Sequence, residues 1–135
     1  MKMKIFIDTN ILISAAILPD SLPARAVLKA TSYPNIGITS EYNINEMIRI
    51  FYKKFSNRLS SLESFLSGTM FSLEIVPIPS YVEESEQNIR DIKDRPVLRA
   101  ALQAGADFLL TGDKDFLESG VYPPKIINAS DFLKL

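Results

Sequence analysis

Short, uninterrupted apolar runs recur along this chain. Each is followed by polar, turn-forming residues and then by a stretch with helical spacing, and that alternation limits the folds open to it. Ile5-Phe6-Ile7 runs into Asp8-Thr9-Asn10 and the apolar Ile11 to Leu18. Ile36-Gly37-Ile38-Thr39 runs into Ser40 and a segment with Ile44, Ile48, Phe51 and Phe55 on one helical face. Leu73-Glu74-Ile75-Val76, Asp107-Phe108-Leu109-Leu110 and a last run near Lys125 to Ile127 complete the set. Runs without polar alternation read as strands buried on both faces, and strands that alternate with helices pair in parallel through right-handed crossovers. The expectation is an α/β chain, a three-layer α/β/α sandwich around a central parallel sheet of four to five strands, with residues 1–135 forming one domain.

The segments between the runs carry their own signals. A helix of small residues is expected over Ala24 to Ala30, one over Leu59 to Met70, and a weaker one over Tyr81 to Ile89. Arg95-Pro96 puts proline at a helix start, where its missing N–H costs nothing, and Gly105 suits the position just past the end of the Val97 to Ala104 helix. Ser40 is the expected N-cap of the helix after the second strand. A short helix near Phe116 to Glu118 and a capped turn from Ser130 end the chain.

Composition then restricts the chemistry. The chain has no histidine and no cysteine, so it has no imidazole base, no thiolate nucleophile and no nitrogen or sulfur metal ligand; clustered carboxylates can hold only a hard cation, Mg²⁺ or Mn²⁺. With 47% apolar residues it can bury a continuous core. Its 15 basic and 16 acidic side chains give a net charge of -1, without the broad positive field of a protein that binds nucleic acid by bulk electrostatics, so a polyanion needs local cations and a metal. The absence of cysteine fits a reducing cytoplasm. Asp8 and Asn10 interrupt the N-terminal apolar stretch, which excludes a secretory signal and a membrane span.

Ligands of open parallel sheets bind outside the carboxyl ends of the strands. Asp8 and Asp113 each directly follow a strand and so share that edge, and Asp94 begins a helix on the same rim. Each is also placed as an ordinary helix N-cap. An acid on the helix after Ser40 would complete the set. Spacing sets Glu46 opposite the Ile44, Ile48 and Phe51 stripe, beside Tyr42, Arg49 and Lys53, and leaves Glu41 as its competitor. Asp115 and Asp91 are secondary candidates, and Thr9, Asn10 and Thr111 have short polar side chains suited to orienting a carboxylate.

Ile5-Phe6-Ile7-Asp8-Thr9-Asn10, the helix start from Ser40 to Glu46, and the run from Lys93-Asp94 through Ala100-Ala101 and Gly105-Ala106-Asp107 to Thr111-Gly112-Asp113-Lys114-Asp115-Phe116 together resemble a PIN domain. They resemble especially the toxin branch of toxin–antitoxin systems. The resemblance places the family's acids on Asp8, Glu46, Asp94 and Asp113, with Asp115 as helper, which favours Glu46 over Glu41. It implies a Mg²⁺- or Mn²⁺-dependent ribonuclease acting on RNA, often a homodimer, silenced by a small antitoxin protein. The stretch from Phe55 to Ser72 matches no motif of that family.

Cations near the acids would take the phosphate backbone: Lys114 and Arg95 first, then Lys93 and Arg99, with Arg49, Lys53, Lys54 and Arg58, interleaved with Phe51, Tyr52 and Phe55, as a further group that also reads as a solvated helix face. Two other readings stand beside the nuclease. One is a module that keeps the fold and binds RNA or protein without catalysis. The other is a phosphoryl-transfer enzyme with Asp8 as covalent nucleophile. Asn10 stands where phosphatases of the haloacid dehalogenase type have a second aspartate, and Asp8 is alone where receiver domains have paired acids, so both patterns depart from this chain.

Overall fold

The computed structural model describes residues 2–135. Five strands, β1 (Lys4–Ile7), β2 (Ile36–Ser40), β3 (Leu73–Val76), β4 (Phe108–Leu110) and β5 (Lys125–Ile127), form one sheet in the order β3-β2-β1-β4-β5. Every pairing is parallel, with Phe6 opposite Ile38 on one side of β1 and Leu109 on the other. The chain therefore begins in the middle of the sheet, builds outward through β2 and β3, and then crosses back to build β4 and β5 on the far side. The order reverses at β1 and β4, the place where open α/β sheets leave a crevice.

Helices cover both faces, as the uninterrupted apolar runs require. Ile5, Ile7, Phe108 and Leu110 pack against α1 (Thr9–Ile17), α2 (Leu22–Thr31), α3 (Glu41–Lys54), α4 (Leu59–Ser67) and α7 (Ala129–Leu133). Phe6, Ile38 and Leu109 point the other way, into a second cluster with Val97, Leu98 and Ala101 of α5 (Arg95–Gln103) and Phe116 of α6 (Lys114–Leu117). Successive strand residues thus feed opposite layers, the period-two rule of a strand. The local stops are those the sequence contains: Ser21, Ser40 and Asn128 accept N–H groups at the starts of α2, α3 and α7, and Gly105 takes φ 69 after α5. No single helix among the described residues is long and apolar enough to cross a membrane.

Two expected helices differ. The Leu59 to Met70 helix ends at Ser67, and the chain passes through Gly68 into a 3-10 turn over Thr69–Ser72. Tyr81 to Ile89 is an irregular strap holding a single 3-10 segment, Glu84–Asn88. Only Glu86 and Ile89 of this stretch turn fully inward, too few for a buried helical stripe, and the turn is closed by reciprocal bonds between Glu83 and Glu86.

The strap is anchored by charge. Glu86, 1% exposed, receives Arg99 in a two-pronged pair, Nε to Oε2 at 2.9 Å and Nη2 to Oε1 at 2.8 Å, while Arg99 Nη1 donates to the Pro79 carbonyl at 3.1 Å. Arg99 is therefore a strut between α5 and the strap and is withdrawn from the cations available to phosphate. The guanidinium holds the Glu86 carboxyl below its usual range, and that pull outweighs the opposing effect of burial. Removing the cation strands a buried carboxylate, so Arg99→Leu is expected to cost about 3–5 kcal/mol in urea unfolding at pH 7. Because a depressed acid stabilises the fold above its unfolded pKa and ceases to do so once protonated, the deficit should shrink below pH 4.5, the ordinary value for this carboxyl.

Candidate active site

Asp8 lies immediately after β1, at the reversal point of the sheet, and its side chain is 5% exposed. Its Oδ1 accepts the Thr9 N–H at 2.8 Å, the expected cap of α1, and its Oδ2 accepts the Thr111 hydroxyl at 2.8 Å. The Thr111 oxygen in turn accepts the Asp113 N–H at 3.1 Å, which ties the β4 loop to the end of β1. Asn10 strengthens the tie by accepting the Gly112 N–H at 3.2 Å. Thus two of the expected supporting residues, Thr111 and Asn10, join the two strand-end loops, and turn chemistry alone does not account for them.

Asp113 caps α6 by accepting the Asp115 N–H at 2.9 Å. Asp94 stands at the corresponding position of α5 and does not cap it: its backbone is helical and its side chain accepts no helix N–H. Its Oδ2 is instead buried with no hydrogen-bond donor, and the Asp94 carboxyl lies beside that of Asp113. Two ionised carboxylates cannot hydrogen-bond each other; a proton or a cation between them can satisfy both.

Asp8, Glu46, Asp94 and Asp113 line one recess of about 200 Å³, together with Thr9, Asn10, Ile13 and Ile50. Glu46 and Ile50, one turn apart, bring a flank of α3 to the recess; Glu41 is exposed and stands outside it. Glu46, placed by spacing opposite the apolar stripe, lines the recess with the other acids and is 24% exposed. Asp115 lies to one side. One oxygen each from Asp91, Asp94 and Asp115 fall within 4.8 Å of one another, so Asp94 belongs to both groups. Arg90, just past the strap, reaches Asp115 at 2.7 Å and Glu118 at 3.5 Å.

The expected cations divide. Lys114 and Lys93 are exposed beside Asp113 and Asp94. Arg49 is exposed, 4.0 Å from Glu46. Arg95 is half-buried and donates Nε to the Ile89 carbonyl at 3.0 Å, which gives it a structural task in the strap. Arg58 reaches the Ile17 carbonyl at 2.9 Å, at the far end of α1.

One polar residue of the site is absent from the candidates that spacing and turn chemistry supply. Asn43 is fully buried and donates Nδ2 to the Thr9 hydroxyl oxygen at 2.9 Å and to Asp8 Oδ1 at 3.4 Å. A signal for it does exist: Asn43, Met47 and Phe51 repeat every fourth residue along a buried line of α3, and an amide in such a line needs partners.

A family model described as PIN domain matches residues 4–115. The chain belongs to the PIN domain family. No curated protein sequence matches it. Among solved structures, this PIN domain is similar to VapBC2 from Rickettsia felis, bound to a DNA fragment from their promoter, at 19% identity and TM-score 0.67, covering 93% of this chain and 98% of that one. It is similar also to Mycobacterium tuberculosis VapC20, a sarcin-ricin loop cleaving toxin, at 14% identity and TM-score 0.60, covering 87% and 96%. PAE2754 from Pyrobaculum aerophilum aligns over 99% of this chain and 96% of its own at 15% identity, with TM-score 0.61.

Crowding of acids in this PIN domain shows in their protonation. Burial pushes the Asp94 carboxyl up to about 8, helped by the facing Asp113 carboxyl and by the charges of Asp8 and Asp91. Burial likewise raises Asp8 to about 6, against the bonds from Thr111 and Thr9 that favour its ionised form; Glu46 and Asp113 add repulsion. The Tyr42 phenol, which donates to the Lys93 carbonyl at 2.9 Å, is also raised, by burial first and then by Glu46 and Asp94.

A folded state whose carboxyls titrate late binds more protons than the unfolded chain, so stability falls as pH rises through the interval between the two pKa values. The metal-free protein is therefore expected to lose urea stability from pH 4 to pH 8, with the folded values of about 6 for Asp8 and about 8 for Asp94 setting the steps. Asp94→Asn should flatten the upper part of that decline and be more stable than the parent at pH 8. A parent stability that rises across this interval would contradict the crowding.

Proposed function

We propose that this PIN domain is a Mg²⁺- or Mn²⁺-dependent endoribonuclease, the toxin of a toxin–antitoxin pair, acting on single-stranded or loop RNA. The observation that carries the reading is the buried, donor-less Oδ2 of Asp94, a residue that lines one recess with Asp8, Glu46 and Asp113 at the sheet's reversal point. An all-oxygen, strongly anionic donor set matches a hard divalent cation and no softer one. Asp8, Asp94 and Asp113 would hold it, with Glu46 as a further ligand or as the acid that orients water. A bound divalent cation supplies charge for phosphate oxygens and lowers the pKa of a nearby water.

The chain's own residues do the rest. Thr111 and Thr9 fix the Asp8 oxygens from behind, so the carboxylate meets its ligand without reorganising. Lys114, Lys93 and Arg49 stand exposed around the recess and would receive flanking phosphates of an RNA strand. Arg95 is the weaker candidate because its Nε serves Ile89. The toxin branch and the RNA substrate rest on family membership and on the fold shared with VapC20 and VapBC2. The cytoplasm is the compartment that goes with this reading.

A second recess, of about 450 Å³ between α2 and α4, is lined by Val27, Leu28, Phe65 and Thr69. Leu28 is 67% exposed there; the small antitoxin as partner rests on the fold shared with VapBC2. The homodimer rests on the family resemblance alone. Asp8 as covalent nucleophile is disfavoured by the sequence departures at Asn10 and at the unpaired Asp8.

Labelled RNA incubated with Mn²⁺ should be cleaved by the parent and by Lys134→Ala, an exposed change remote from the recess, while Asp8→Asn and Asp113→Asn should fall to the rate seen with EDTA. Equal cleavage by all variants would assign the activity to a contaminant. Mn²⁺ at a hundred times its Kd should add about 2.7 kcal/mol to the stability of the parent and nothing to Asp113→Asn.

A further inference from the structure

Asn43 is hard to explain as a core residue. It is 0% exposed, in a buried line with Met47 and Phe51 where an apolar side chain would pack without needing partners. Its hydrogen bonds run in one direction. The Asn43 N–H donates to Ser40 Oγ at 3.1 Å, and the Ser40 hydroxyl donates its proton to Asn43 Oδ1. The carboxamide oxygen is thereby assigned as acceptor, and its NH₂ end is turned toward Thr9 and Asp8.

Thr9 lines the recess, and its hydroxyl oxygen accepts from Asn43, so that hydroxyl's own proton is left to point elsewhere. Asp8 Oδ1 receives Asn43 more weakly, at 3.4 Å, beside the Thr9 N–H. A helix start and a strand end are thus locked together by one amide whose rotation is fixed by Ser40. The capping bond of α3 needs only the Ser40 hydroxyl; the carboxamide of Asn43 is not required for it.

We propose that Asn43 is a positioning residue for the cation site: through Thr9 and Asp8 it fixes the direction in which the Asp8 carboxylate presents itself to a divalent ion. This inference rests on the metal-dependent reading of the recess. Partners that orient metal ligands are worth about 10- to 100-fold in affinity when removed.

Asn43→Leu keeps the branched Cγ and removes donor and acceptor; Thr9→Val keeps the shape of threonine and removes the hydroxyl. Calorimetric titration with Mn²⁺ alone should give a Kd about 10- to 100-fold weaker for Asn43→Leu and a smaller loss for Thr9→Val. The double variant should lose less affinity than the two single losses combined, since both act through one link. With Mn²⁺ saturating, KM for RNA should stay within about twofold of the parent while kcat falls, because RNA phosphates bind at Lys114, Lys93 and Arg49. A purely structural Asn43 predicts instead a lower melting temperature of the metal-free protein and an unchanged Mn²⁺ affinity, and that result overturns the proposal while leaving the nuclease intact. Parent protein that binds no Mn²⁺ overturns both. If Asn43→Leu fails to fold, Thr9→Val decides: an unchanged Kd overturns the link.

Discussion

The place of β1 between β2 and β4 governs the rest of this molecule. A strand that opens the chain and is then flanked on one side by its successor and on the other by a strand from much later in the chain forces the sheet to reverse at its centre. Helices leave that reversal on opposite faces and cannot fill the crevice between them. The residues just past the ends of β1 and β4 must meet there, and those residues are Asp8 and the Thr111-Gly112-Asp113 loop. The fold brings negative charges together at a point where solvent is partly excluded, a costly arrangement unless something positive resolves it.

The remaining architecture holds that arrangement in place. Thr111, Asn10 and Asn43 stitch the strand ends to each other, while the buried Glu86–Arg99 pair fixes the strap that delivers Asp91 and Asp94 to the rim. Asp94 is the pivotal residue. It has the sequence position of a helix cap and declines that role, leaving one oxygen buried and without a donor. Asp8 and Asp113 each cap a helix with one oxygen and also line the recess, so capping does not exclude them from it. The opposition between cap and ligand is therefore real for Asp94 alone.

Much of this is legible in the order of the amino acids, for identifiable reasons. Asp8 and Asp113 come directly after apolar runs, and a residue in that position reaches the carboxyl edge whatever the strand order. Glu46 is legible only through family resemblance, because helical spacing places a residue around an axis without saying what the far side of the helix faces. Asn43 is hidden by its ordinary helical context. Its partner Thr9 lies thirty-four residues away, and only the tertiary fold brings them together. The strap differs from the expected helix for a related reason: Glu86 is buried by Arg99, thirteen residues on, and local pattern carries no trace of such a contact. Arg99 and Arg95 resemble phosphate contacts by their nearness in sequence to Asp94, and their guanidinium groups turn to the strap instead.

If the recess at the reversal point is a cation site built from Asp8, Asp94 and Asp113, manganese must be found there. A crystal grown with Mn²⁺ and measured above the manganese absorption edge decides the matter directly. An anomalous peak is expected within coordinating distance, about 2.2 Å, of oxygens from all three residues, with Glu46 near enough to share it directly or through water. No peak in that recess, or manganese held only by Asp91 and Asp115 on the outer side of Asp94, would contradict it.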